Sequence, residues 1–276
     1  MASLPRALTA LTLVGAALAA APAAAQNIDD NFWATAEFYW PKVDSTVQIS
    51  SVTNPTVGTE IDFEDDLNLD HGEALPSFEA GWRISNRFRL VGEYYKLGRS
   101  AQTTLSRDLV FDDATYHANA TVGGEFDSSV YRFSVGYSFV RKDNAELGAS
   151  IGLHATDFAV GLAGQATIGN TTTSSVQTRR KEVLAPLPTV GLYGAIEVAP
   201  RVQMGANVDF LSLSIGDYDG RLVNFEANVS YRLFKNFGVG VAYRYVDYRL
   251  DVEKPEYVGR LTYEFSGPLI FLTAGF

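Results

Sequence analysis

Stretch after stretch of this chain alternates apolar with polar residues at a period of two, the pattern of a β-strand whose two faces meet different surroundings. The first sets Phe32, Ala34, Ala36, Phe38 and Trp40 against Thr35 and Glu37. Another sets Tyr131, Phe133, Val135, Tyr137 and Phe139 against Arg132, Ser134, Gly136 and Ser138. About ten such segments occur, at residues 32–40, 78–84, 88–95, 131–139, 146–154, 189–198, 202–210, 223–233, 237–245 and 270–276. Their connections alternate in length. Short ones at 85–87, 141–144, 199–201 and 235–236 are rich in turn formers. Long ones span 41–74, 100–124, 161–186 and 251–262, with 216–220 a brief exception. Short turns at one rim and long loops at the other are the layout of bacterial outer-membrane barrels, which puts both termini in the periplasm and requires an even strand number.

Periodicity alone does not say which face is outside, because a soluble barrel also has one apolar phase per strand. Volume decides. Roughly five apolar side chains on each of about ten strands would overfill an interior little wider than the eight-stranded kind that side chains already fill. The apolar phase is therefore expected to point outward, into lipid. Aromatics near strand ends, Trp33, Tyr39, Trp40, Tyr137, Phe139, Tyr231, Phe237 and Tyr245, suit interfacial girdles. The expected fold is all-β: a transmembrane antiparallel up-and-down barrel of about ten strands.

The N-terminus changes the picture of what is mature. Residues 1–6 carry one basic side chain, 7–21 form an uncharged run of Ala, Leu, Val, Thr and Gly, and Ala23, Ala24 and Ala25 precede Gln26. This is the layout of a cleavable signal peptide. Residues 1–25 are read as that peptide and 26–276 as one outer-membrane barrel domain. The mature part has no apolar run of about 18 residues, so it crosses a membrane only as strands. Loss of Arg6 leaves 21 basic against 32 acidic side chains, which argues against nucleic acid as a partner. The chain has no cysteine, excluding disulfides and thiolate metal sites.

Three stretches carry a resemblance: GTEIDFEDDLNL at 58–69, LPSFEAGWRISNRFRLVGEYYKLGRS at 75–100 and ELGASIGLHATDF at 146–158. They resemble uncharacterised proteobacterial outer-membrane β-barrel proteins, small barrels of the OmpA or OmpW kind in the broad sense. That resemblance implies the architecture and no reaction. Phe276, with apolar residues at alternate positions before it, looks like the C-terminal signal read by the barrel-assembly machinery, although Ala274 stands where an aromatic is often found.

Candidate chemistry lies on the inward phase. Acids Glu37, Glu79, Glu93, Glu146, Glu197, Asp209 and Glu226 are interleaved there with Arg83, Arg89, Arg132, Arg232 and Arg244. Charges confined in a small lumen need partners, so a paired network filling the interior is expected. A hydrated, weakly cation-selective pore is the alternative. The first long connection holds Asp44, Glu60, Asp62, Glu64, Asp65, Asp66, Asp70 and Glu73 against Lys42. Asp66, Asn68 and Asp70 have the opening spacing of a calcium loop, but His71 and Ser77 occupy its Gly and Glu positions, so a solvated acidic surface is the expectation and no metal or cofactor is implied. Arg179, Arg180 and Lys181 would touch lipopolysaccharide phosphates or remain solvated.

Among the histidines His71, His117 and His154, only His154 is expected to face the lumen, as a hydrogen-bonded residue. No His-x-Ser stretch of lipid-modifying barrels occurs, and no omptin-like Asp and His pairs are recognisable, so a monomeric, non-enzymatic envelope protein contacting membrane lipid is expected. One irregularity stands out. Carried past Phe210 and Tyr245, the inward phase becomes Leu211, Leu213 and Ile215, and Val246, Tyr248 and Leu250. Either bulges switch the phase there, or the far end of the lumen is apolar, as in barrels that admit small hydrophobic molecules.

Overall fold

The computed structural model describes residues 28, 30–52, 57–168 and 173–276; the expected cleavage point after Ala25 lies outside them. The strands are β1 (Phe32–Tyr39), β2 (Lys42–Ser51), β3 (Ile61–Asp62), β4 (Leu75–Arg83), β5 (Phe88–Thr104), β6 (Leu109–Phe111), β7 (Ala114–Tyr116), β8 (Thr121–Lys142), β9 (Ala145–Ile168), β10 (Ser175–Ala199), β11 (Val202–Ile215), β12 (Tyr218–Arg232), β13 (Phe237–Glu253) and β14 (Tyr257–Gly275). Ten of them, β1, β4, β5 and β8 to β14, pair antiparallel in that order, and β1 closes the ring on β14. The expected up-and-down barrel is therefore present. β2 continues β1 in the same register against β14, interrupted only at Trp40 and Pro41.

Alternation sorts the side chains as expected through a belt around the turn end of the barrel. Phe78, Trp82, Phe133, Ile151, Val190, Val229, Val241 and Leu272 all point outward and are exposed. An apolar belt of this size is a surface for hydrocarbon. Two residues assigned to the girdles belong inside instead: Tyr39 is fully buried, and Trp33 donates its indole N–H to Glu79 at 2.9 Å.

Beyond the belt the meaning of the phases inverts. The inward positions turn apolar, with Tyr95, Leu97, Val122, Phe126, Val130, Phe158, Leu222, Val246, Tyr248, Leu250, Tyr263 and Phe265 buried in one core. The β11–β12 and β12–β13 registers run through Leu211, Val246 and Tyr248 without a shift, so the apolar lumen, not a bulge, accounts for the irregular phase. This inversion also explains a difference from expectation. Segments 100–124, 161–186 and 251–262, read as loops, are largely strand: their walls meet water outside and each other's apolar side chains inside.

The first long connection is a plug with an acidic outer face: Asp44, Glu60, Asp65, Asp70 and Glu73 are exposed as expected, while its apolar side chains and Glu64 turn inward. Phe63, Leu67 and Leu69 insert into the apolar core, and Phe63 meets Phe126 at 5.5 Å. Glu64 goes in with them, accepting hydrogen bonds from the Ser45 backbone and hydroxyl (2.8 and 2.9 Å) and an ion pair from buried Arg99. Asp66 binds the guanidinium of Arg107, with Nε at 3.0 Å. Over the plug lies the β6–β7 hairpin, whose turn residue Asp112 takes φ 60°, a left-handed conformation Asp tolerates. The hairpin is tied to β10 by Asp113–Arg179 at 2.6 Å and Asp112–Lys181 at 2.9 Å.

Two tests follow from this architecture. Val229→Arg, on the outward phase, should cost about 2 to 4 kcal/mol in refolding titrations if it sits near the bilayer midplane, while Ser134→Arg on the inward phase disturbs only the lumen; equal tolerance at both positions would contradict the outward assignment. The hairpin should loosen in acid. Asp113 is held below its ordinary 3.8 by the hydrogen bond from Arg179, and Asp108 by the Ala118 backbone N–H and the His117 ring. A carboxyl so lowered stabilises its docking above that ordinary value, and the contribution is lost as the pH falls through the lowered one. Amide exchange of β6 and β7 should therefore accelerate below about pH 3.8 before the wall strands respond; uniform protection across that window would contradict it.

Candidate functional site: the charged lumen

Alternation alone aims a ring of long charged side chains at the barrel axis, and burial then forces them to find one another. At mid-height the node is Glu93 on β5. Arg244 of β13 reaches it with Nη1 at 2.5 Å, and Arg132 of β8 pairs with its other oxygen. Arg132 spans on to Asp209 of β11, which also accepts from Asn224 at 3.3 Å. Arg244 places Nε and Nη2 at 3.0 and 2.6 Å from Glu226 of β12, with Glu37 of β1 at 3.7 Å. Its guanidinium also sits under the rings of Tyr39 and Tyr95, at 5.9 and 5.8 Å, where the charged tier meets the apolar one.

A second node lies nearer the turn end. Glu146 receives both terminal nitrogens of Arg83 at 2.9 Å, a bidentate pair, and also the Ser138 hydroxyl and Arg141 at 3.5 Å. Arg89 stacks 3.2 Å over the Tyr193 ring, whose hydroxyl is 3.0 Å from Ser138. Room for that tyrosine comes from Gly148, where an added Cβ would fall 2.3 Å from the Tyr193 hydroxyl. Below this node Ile28 and Asp30 lie against the lumen: Arg83 donates to the Ile28 carbonyl at 3.2 Å, and Arg232 pairs with Asp30 at 2.6 Å. A polar cavity of about 210 Å³ remains beside the two nodes, lined among others by Glu79, Arg89, Ser134 and Asn207. The lumen is thus crossed by charge pairs but is not solidly filled.

The inward charges expected from sequence mostly meet here, and two lie apart from the central nodes. Arg232 binds Asp30, which lies outside the periodic segments and carries no pattern to flag it. Glu197 sits at the turn end, accepting the Arg201 backbone N–H at 3.2 Å, away from the central nodes. Sequence reasoning also missed Arg141, Ser138, Tyr193 and Asn224. The last three lie on the inward phase and were readable as such, but their polar contacts depend on cross-lumen distances.

His154 is buried in the lumen as expected but its Nδ1 has no hydrogen-bond partner, like the hydroxyls of Thr156 and Tyr248 on the apolar side of the boundary. His117 links Asp108 and Thr167 at 3.1 Å each, an acid, base and hydroxyl in line; Thr167 is covered, and the chain pins the hairpin to β9. Arg180 is within 2.6 Å of Glu125 and 2.9 Å of Glu182, so each member of the basic cluster is already engaged with an acid. No group of side chains suited to hold a metal ion occurs among the described residues.

No protein-family profile matches the chain, and no curated protein matches it. Solved structures do. The outer-membrane protease OmpT from Escherichia coli superposes with a TM-score of 0.54 at 10% identity, over 88% of this chain and 97% of that one. The toluene transporter TbuX of Ralstonia pickettii gives 0.38 at 12% identity, over 90% of each chain, and Neisserial surface protein A 0.29 at 14%, over 89% and 97%. The chain has the fold of Gram-negative outer-membrane β-barrels.

Removing Arg244 would leave Glu93, Glu226 and Glu37 facing one another with Arg132 as the nearest cation. Arg244→Ala is expected to lower unfolding stability by about 3 to 5 kcal/mol, the loss typical of a broken buried pair. Arg249→Ala removes a pair at 3.2 Å from a half-exposed guanidinium to the partly exposed Asp251 and should cost about 0 to 1 kcal/mol. Equal, small losses for both in urea titrations would mean that the lumen is water-filled.

Proposed function

We propose that the protein is a monomeric, non-enzymatic outer-membrane barrel closed along its axis, with a role at the cell envelope or surface. The observation that carries this reading is the double closure of the lumen. Arg132 and Arg244 cross it at mid-height, and a core of aromatic side chains, plug and hairpin fills it above. Ions meet a desolvated apolar tier on one side of the charge pairs, which is a barrier to conduction.

In this reading the short turns and both ends of the chain lie in the periplasm, and the plug, the hairpin and the long β8 to β10 walls face outward from the cell. The belt meets membrane lipid, including lipopolysaccharide, and Phe276 serves as the signal for the insertion machinery. Support for the last role comes from its position: Phe276 is exposed on the outward phase, and its carbonyl accepts the N–H groups of Asn31 and Phe32 at 2.7 and 3.0 Å, where the ring closes.

Refolded protein in a planar bilayer should show no steady conductance. Sustained, weakly cation-selective current from the unmutated protein would replace the closed barrel with a pore.

A further inference from the structure

Between β10 and β11 the wall has a seam that its backbone does not close. β10 pairs with β11 from Ala199 and Val202 up to Val190 and Phe210, and there the ladder stops, although β11 runs five residues further to Ile215 and β10 fifteen further to Ser175. Both strands keep their other neighbours through this stretch, β9 and β12.

The reason is written in β10. The Glu197 N–H donates to the Asn144 carbonyl, just before β9, at 2.9 Å, and the β9–β10 register has no shift up to Ser175. Odd residues of β10 therefore turn their N–H and C=O groups to β9, and even residues turn theirs to β11. The two even positions after Val190 are Pro188 and Pro186. Neither has an N–H to donate, so the two hydrogen-bonded pairs that would continue the ladder, opposite Ser212 and Ser214, lack a donor on the β10 side.

The side chains around the seam are those of an opening onto the apolar interior. Leu213 is on the inward phase yet 36% exposed, whereas Leu211 and Leu222 beside it are 6% and 0% exposed. Leu187 closes the seam from inside, lying over Gly220 of β12, where an added Cβ would be 2.9 Å from its Cδ2. Just beyond the β11–β12 tip, an apolar pocket of about 40 Å³ is bounded by Val183 of β10, Leu250 and Val252 of β13, and Phe158 of β9. On the outside, Val190 and Phe210 at the foot of the seam are exposed on the apolar belt, and Pro188, Pro186 and Leu184 are exposed along it, so the seam begins at the edge of the lipid-facing belt. The comparable separation between β2 and β5 is bridged instead, by Arg99 donating to Ser45 at 2.8 Å and pairing with Glu64.

We propose that the β10–β11 seam is a lateral site that admits the end of one membrane-lipid acyl chain from the surrounding bilayer into the apolar tier behind Leu187. The chain would displace Leu187 from Gly220 and reach toward the pocket at Val183 and Leu250. Axial closure and lateral access are separate properties, so this site does not depend on the conductance result.

The test uses the full protein in phosphatidylcholine vesicles containing a minor share of phosphatidylcholine with a diazirine at the end of one acyl chain. After illumination and digestion, adducts are expected on the inward residues Leu187, Leu211 and Leu213 as well as on outward Phe210 and Val190. Adducts confined to outward residues would overturn the proposal. The chain has no cysteine, so Pro188→Cys with Ser212→Cys provides the only two thiols. Oxidising that pair should abolish inward adducts and leave outward ones unchanged, with recovery on reduction; inward labelling that survives the closed disulfide would also overturn it. Pro186→Thr with Pro188→Thr restores both donors without a cross-link and should reduce inward labelling in the same direction; undiminished inward labelling there would count against the site.

Discussion

Two arginines held inside the middle of a barrel, Arg244 buried and Arg132 partly so, must be neutralised there, and Glu93 is where they meet. The cost of desolvating a guanidinium is several kcal/mol and is recovered only through close, multiple carboxylate contacts. That requirement ties together strands that the ladder leaves far apart. β5 is joined to β13 across the lumen, β8 to β11, and β1 lies within 3.7 Å of the same cluster through Glu37. The cluster also fixes a height. On its turn-end side the interior stays polar, with a second node at Glu146 and a cavity, and on the other side it becomes an aromatic core. The cation of Arg244 under Tyr39 and Tyr95 is the contact between the two regimes.

Much of the barrel was legible because alternation is a local property. Phe32, Ala34, Ala36 and Phe38 declare their face within five residues of one another, and the short turns at 141–144 and 235–236 declare their neighbours. What escaped was any feature for which the same pattern has two readings. Val160 and Leu162 on β9, or Leu250 and Val252 on β13, are as apolar as the lipid-facing positions but point inward, because the outer surface there meets water. Glu64 illustrates the same limit for charge. It sits among acidic neighbours that suggest a solvated loop, and only Arg99, 35 positions away in the chain, reveals that it is buried. Local sequence carries the phase; it does not carry which carboxylate crosses the lumen to which guanidinium.

Backbone chemistry accounts for the shape of the wall beyond the belt. The pairing of β8 with β9, unshifted from Ser138 to Val122, and the continuous register of β13 with β14 raise a tall rim, and the plug fills the space beyond the start of β4 at Leu75. Pro186 and Pro188 do the opposite at β10, removing donors on the side facing β11 while the β9 ladder persists. Proline is expected at the edge of a sheet, and here it creates an edge within one. A barrel can in this way be shut along its axis and still have an interruption in its side.

Axial closure is the central claim, and a thiol placed in the lumen reads it without depending on a current. Ser134→Cys puts the only cysteine of the chain on the inward phase beside the cavity, and Val176→Cys puts one on the 76% exposed outer wall of β10. On intact cells, a membrane-impermeant maleimide should label the cysteine at position 176 and leave the one at 134 unmodified until the barrel is unfolded. Labelling of both at similar rates would show that water and small solutes pass the aromatic tier and the arginine pairs, and would contradict the closed lumen.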